Sequence, residues 1–141
     1  MENYHSTADG APHRAFYDDK LASNGALLSI YEGKVSEEIR LDFFKKSQAH
    51  FDSVSKAIYE IIPEYLPSKG FLGTDRPGED DFHLAAWLAR IAATVGAKQG
   101  EDGLQAFELA FGRPVPEKVA SYWNAWIQRA SWKRVYAAGL H

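Results

Sequence analysis

Between Glu79 and Val95 the chain runs Phe82-His83-Leu84-Ala85-Ala86-Trp87-Leu88-Ala89-Arg90-Ile91-Ala92-Ala93, a stretch broken only by His83 and Arg90. At helical spacing almost every face of this segment is apolar. A helix without a polar face needs neighbours all round, so the segment predicts a bundle with this helix in its middle. Its many alanines would let those neighbours come close. With four more from the rest of the pattern the chain has five predicted helices, and none of it reads as a strand.

The first helix spans about 12–31, where Phe16, Tyr17, Leu21, Asn24, Leu28 and Tyr31 recur at helical intervals. Pro12 fits its first turn, Gly25 weakens its middle, and Gly33 is a C-terminal stop. Ser36-Glu37-Glu38 opens the second helix with a capping hydroxyl and acids in the first turn. It runs to about Tyr65, closed by Pro63 and Pro67, with Phe44, Phe51, Val54, Ile58, Ile61 and Ile62 as its apolar stripe. The third helix is the apolar one, about 79–95. A short fourth covers 104–111, and a long fifth runs from about Pro116 to Ala138 on Val119, Tyr122, Trp123, Trp126, Ile127 and Ala130. The expected fold is an all-α, five-helix bundle. Residues 1–11 lack periodicity and read as a linker, leaving 12–141 as the helical domain.

Composition narrows the function classes. The 141 residues include 16 Lys+Arg and 19 Asp+Glu, a net charge of −3, without the basic excess of a nucleic-acid binder. No cysteine is present, which removes disulfides, thiolate metal sites and a Cys nucleophile from this chain. His5, His13, His50, His83 and His141 are scattered without a ligand-type i, i+4 partner, so no metal site is expected. No run approaches the roughly 20 apolar residues of a membrane span, and the polar start lacks a signal peptide's apolar core. A cytoplasmic location is expected.

Gly73-Thr74-Asp75-Arg76-Pro77-Gly78-Glu79-Asp80-Asp81-Phe82, continued by Leu84-Ala85-Ala86-Trp87-Leu88, resembles the central-helix signature of glutathione S-transferase C-terminal domains. Asp81 matches the acid that closes the family's N-terminal capping box, while Gly78 stands where the family has Ser or Thr. Buried N–H groups at a helix start need such acceptors because no water reaches them. Arg129-Ala130-Ser131-Trp132 is similar to the family's terminal Arg-Pro-Ser-aromatic motif, with Ala for Pro. The likeness covers about 12–138 and is nearest to the fungal branch.

The resemblance implies the helical half of a transferase, with a hydrophobic pocket and dimer contacts. Activation of glutathione would belong to a thioredoxin-like domain, in cis or in trans, for which this chain has no βαβ pattern. No cofactor and no catalytic residue are therefore expected within the chain itself. By the same resemblance the first helix forms a pocket wall, nominating Arg14, Tyr17, Asn24 and Tyr31. Core packing is the default for Trp87, Trp123, Trp126 and Trp132, but one of them could line a pocket for an apolar ligand, and Trp123 is the candidate. Packing roles for the Tyr and Trp residues stay open. Asp81 is expected to act as structure, not catalyst. The partners implied are a hydrophobic small molecule, the thioredoxin-like domain and a second copy. A non-catalytic interaction or apolar-ligand-carrier module is the alternative.

Overall fold

The computed structural model describes residues 14–73 and 75–141, apart from the Tyr17 side chain. The expected linker 1–11, the helix start at Pro12, His5, His13 and Thr74 lie outside the described residues. Among the described residues the regular structure is helical and contains no strand. In chain order the helices are α1 (Arg14–Tyr31), α2 (Glu37–Lys56), α3 (Glu79–Thr94), α4 (Gly103–Phe111), α5 (Glu117–Ile127) and α6 (Ala130–Val135). The chain divides into two compact units, 1–50 and 51–141, with the boundary inside α2.

In the first unit no described side chain is buried. Phe16, Leu27, Leu28 and Tyr31 of α1 are exposed, as are Ile39, Leu41 and Phe44 of α2. Tyr31, Phe43 and Phe44 meet edge to face, with centroids 5.4–6.0 Å apart. Arg40 is held to Glu37 by hydrogen bonds of 2.9 and 2.6 Å. Gly25 lies within α1, and a Cβ there would meet nothing within 4 Å. Gly25→Ala is therefore expected to stabilise α1 by up to about 1 kcal/mol, read as a gain in helical circular dichroism.

The apolar stripe assigned to the second helix becomes buried only late, at Ile58, while Phe44, Phe51 and Ile61 remain exposed. The same region accommodates Pro63 through a change in helix geometry. Residues Ala57–Ile61 widen into a π-turn, in which the Ile62 N–H donates to Ala57 O, and Ile62–Tyr65 then resume the α form. A proline in a helix lacks its own N–H and crowds the carbonyl four residues back; the wider turn makes room for it.

The core of the second unit joins Ile58, Leu66, Leu88, Phe107, Val119, Tyr122 and Trp123. Helix α3 contributes one face to it, Ala85, Leu88, Ala89 and Ala92, beneath the buried Asp81. The expectation of a helix covered on every side is corrected here: Phe82 and Ala86 are exposed and Trp87 is half-buried. Phe82 and Ala86 border a groove, while Trp87 packs partly against the core.

The fifth predicted helix is also corrected, because it is two. Arg129 takes extended backbone angles, φ −70° and ψ 139°, between α5 and α6. No proline or glycine causes this break. The change in direction accompanies the burial of Trp132, whose ring lies 5.3 Å from Trp123 and 6.2 Å from Trp126. Tertiary burial of a large aromatic outweighs the local preference for an unbroken helix.

Three tyrosines of this unit titrate above the ordinary tyrosine value. Burial is the main cause for Tyr59, Tyr122 and Tyr136, and the Asp81 charge pushes Tyr122 up further. The folded chain thus keeps Tyr122 protonated where the unfolded chain, with its pKa of about 10, has ionised. Below pH 10 both states hold the proton and this contribution is complete. Above it the unfolded state is favoured, and stability is expected to fall by about 1 kcal/mol per pH unit from Tyr122. Urea titrations at pH 8 and above 10 test this. Tyr122→Phe is expected to flatten the alkaline decline while costing about 1 kcal/mol at pH 8 through its lost hydrogen bond to Asp81 O.

Candidate functional site

The head of α3 is fixed by one carboxylate. Asp81 Oδ2 accepts the Gly78 N–H at 2.9 Å, and Oδ1 accepts the Leu72 N–H, also at 2.9 Å. The side chain thus satisfies the helix start and pins the preceding loop to it. Gly78, at the N-cap, is extended, with φ −92° and ψ −172°. Tyr122 on α5 donates its hydroxyl to Asp81 O at 3.0 Å, tying α5 to the same turn. Asp81 is 1% exposed; its bond from Tyr122 is buried, and the two bonds to its carboxylate are part-buried. This is a structural arrangement, with both carboxylate oxygens engaged by backbone.

Next to this anchor lies a groove of about 300 Å³. Phe82, Ala85 and Ala86 of α3 form one side, Trp126 the floor, and Ser131, Trp132, Val135 and Tyr136 the other side. The two alanines leave the space; aromatic rings enclose it. Phe82 and Trp126 meet edge to face at 5.2 Å, and Trp132 and Tyr136 are 4.5 Å apart. The side chains at the groove with oxygen atoms are those of Ser131 and Tyr136. An apolar cleft with a few polar groups is what small aromatic ligands require, and this volume is at the lower end of the usual range. It suits one or two fused rings.

A cation stands beside the floor. The Arg129 guanidinium lies over the rings of Phe71 and Trp126, 5.4 and 5.5 Å from their centroids, and its Nε is buried without a hydrogen-bond partner. Trp123, proposed from sequence as a pocket lining, is a core residue. Its ring is 1% exposed and its Nε1–H donates to Gly100 O at 2.8 Å. Arg14, Asn24 and Tyr31 are exposed on α1 in the first unit, and the Tyr17 side chain lies outside the described residues.

None of the groove's lining is among the residues nominated from sequence: of the four tryptophans the groove takes Trp126 and Trp132 and not Trp123, and Phe82, Ser131 and Tyr136 carry no pocket signal of their own. Phe82 and Trp126 lie in apolar stretches whose periodicity points to packing against neighbouring helices. Trp132 carried a usable signal, as the aromatic of the Arg129-Ala130-Ser131-Trp132 motif. Among the described residues no cluster of His, Asp or Glu is arranged to hold a metal ion, and no helix is long and apolar enough to cross a membrane. The chain matches no protein-family model, no curated protein and no solved structure.

Proposed function

We propose that this chain is the helical half of a glutathione S-transferase-like protein of the fungal type, acting in the cytoplasm and binding an apolar small molecule. The observation that carries the reading is the aromatic groove beside the Asp81 anchor. Both motifs that resemble the family border it: the capped helix head supplies Phe82, and the terminal motif supplies Ser131 and Trp132. Glutathione would bring the nucleophilic thiol, and its activation belongs to a thioredoxin-like partner domain. The groove itself offers hydroxyls from Ser131 and Tyr136 and no cationic or thiol-activating cluster fitted to a charged tripeptide. This chain's share of the chemistry is to hold and orient the apolar co-substrate out of water.

A second reading, that of a non-catalytic interaction module, draws on a separate observation. Helices α1 and α2 expose Phe16, Leu28, Tyr31, Ile39, Leu41 and Phe44 in a unit that buries no described side chain. Such a surface suits contact with a second copy or with a partner domain.

Two titrations and one sizing measurement separate these readings. The uncharged dye N-phenyl-1-naphthylamine is expected to bind the chain, and glutathione alone is not. Glutathione binding without a second domain would contradict the assignment of the thiol site elsewhere. If neither compound binds and light scattering finds association that grows with concentration, the interaction module is the better account. A monodisperse monomer at high concentration would contradict the dimer contacts.

A further inference from the structure

Asn-Gly is a pair that favours a tight turn, yet Asn24-Gly25 lies in the middle of α1. Both residues are exposed, and the space around Gly25 is open. Among the described residues the Asn24 amide has no hydrogen-bond partner. The helix around the pair is weak. Glycine is the poorest helix former after proline. Ser23 turns its hydroxyl back to Asp19 O at 2.9 Å, and Ser29 donates to Gly25 O at 3.0 Å. Such back-bonds loosen a helix, and here they stand on both sides of the pair. No described side chain of α1 is buried, so little tertiary packing holds this turn shut against local opening.

We propose that Asn24 is a self-modification site, where α1 opens and the Gly25 backbone nitrogen attacks the Asn24 side chain. In the closed helix the Gly25 N–H is committed to the carbonyl four residues back, and its nitrogen is held away from Asn24 Cγ. Opening frees it, and glycine, lacking a Cβ, neither shields the nitrogen nor restricts the chain. A bond forms between the Gly25 nitrogen and Asn24 Cγ, the Cγ–Nδ2 bond breaks, and ammonia leaves with the Gly25 amide proton. Water then opens the succinimide ring. Attack at Cγ leaves a normal aspartate; attack at the main-chain carbonyl leaves isoaspartate, whose side-chain carbon has entered the backbone. Either product adds one negative charge to a chain already at −3. Isoaspartate also lengthens the backbone by one atom and breaks the hydrogen-bond ladder of α1 at its middle. The site is independent of the groove.

The full chain is incubated at neutral pH and physiological temperature, then cut with trypsin at mildly acidic pH and followed by mass spectrometry. Trypsin releases 21–34 and 119–129, each with a single Asn. Asn124 is the internal standard: it is exposed on α5 but precedes Ala125, in a helix whose other face is buried. The 21–34 peptide is expected to accumulate aspartate and isoaspartate forms while 119–129 stays intact, and helical circular dichroism should fall as isoaspartate rises. Gly25→Ala should slow the conversion by about ten-fold or more. Ser23→Ala combined with Ser29→Ala leaves the reacting pair untouched and should slow it roughly four-fold by tightening the helix. If Asn24 stays intact in the chain while the free 21–34 peptide converts, α1 does not open there and the proposal is overturned. Conversion of the double serine variant at the parent rate, or of Asn124 as fast as Asn24, would overturn it equally.

Discussion

Asp81→Ala is expected to cost about 4 kcal/mol and to leave much of the second unit unfolded under conditions where the parent chain is folded. Its carboxylate is the acceptor for two N–H groups, those of Leu72 and Gly78, in a place that is 1% exposed. Alanine leaves both part-buried donors without their acceptor, and each such loss costs about 1–3 kcal/mol. The same turn receives the Tyr122 hydroxyl, so the loss spreads to α5. Asp81→Asn keeps one acceptor oxygen but turns an NH₂ toward the other donor, and about half the cost is expected. Urea unfolding followed by tryptophan fluorescence measures both. A loss below about 1 kcal/mol for the alanine variant would mean that the loop and helix head do not depend on this side chain.

Gly103→Ala is the second large effect, about 3 kcal/mol or more. An added Cβ would lie 2.2 Å from Trp123 Cζ2 and 2.7 Å from Cε2. The ring has nowhere to go. It is held by its hydrogen bond to Gly100 O at 2.8 Å and by edge contacts with Phe107 at 5.9 Å and Trp132 at 5.3 Å. Because Trp132 also lines the groove, a displaced Trp123 should weaken dye binding in whatever fraction of the variant remains folded. The same substitution at Gly25 meets open space, so the two variants should move stability in opposite directions. Equal and small effects at both positions would show that Trp123 is not packed against α4 as described.

The sequence was informative where local chemistry and burial agree. The head of α3 was legible because an aspartate three residues into a helix that lacks a capping side chain has one obvious task. The apolar face of α5 was legible because Val119, Tyr122, Trp123, Trp126 and Ile127 repeat at helical intervals, and all five are buried. The C-terminal end of α1 and the start of α2 were legible too, but not the π-turn that interrupts the second helix after Lys56, nor what the two helices cover. Periodicity marks a face as apolar without saying what lies on it, and in the first unit no described side chain is buried.

The candidate site was harder to foresee. Its space comes from Ala85 and Ala86, whose value is the volume they leave vacant. Its second wall exists only because the chain turns at Arg129, where no proline or glycine announces a turn. Trp126 and Trp123 share a helix face at three-residue spacing. Only their long-range partners, Gly100 for Trp123 and Phe82 for Trp126, decide that the first is sealed in the core and the second reaches the groove.

Whether an aromatic ligand sits between α3 and α6 is decided by the four tryptophan indole N–H signals of a ¹⁵N-labelled chain titrated with N-phenyl-1-naphthylamine. Trp126 and Trp132 are expected to shift most, together with the amides of Phe82, Ala86 and Tyr136, while Trp123 moves less. Shifts confined to α1, or a spectrum that the dye leaves unchanged, would contradict that placement.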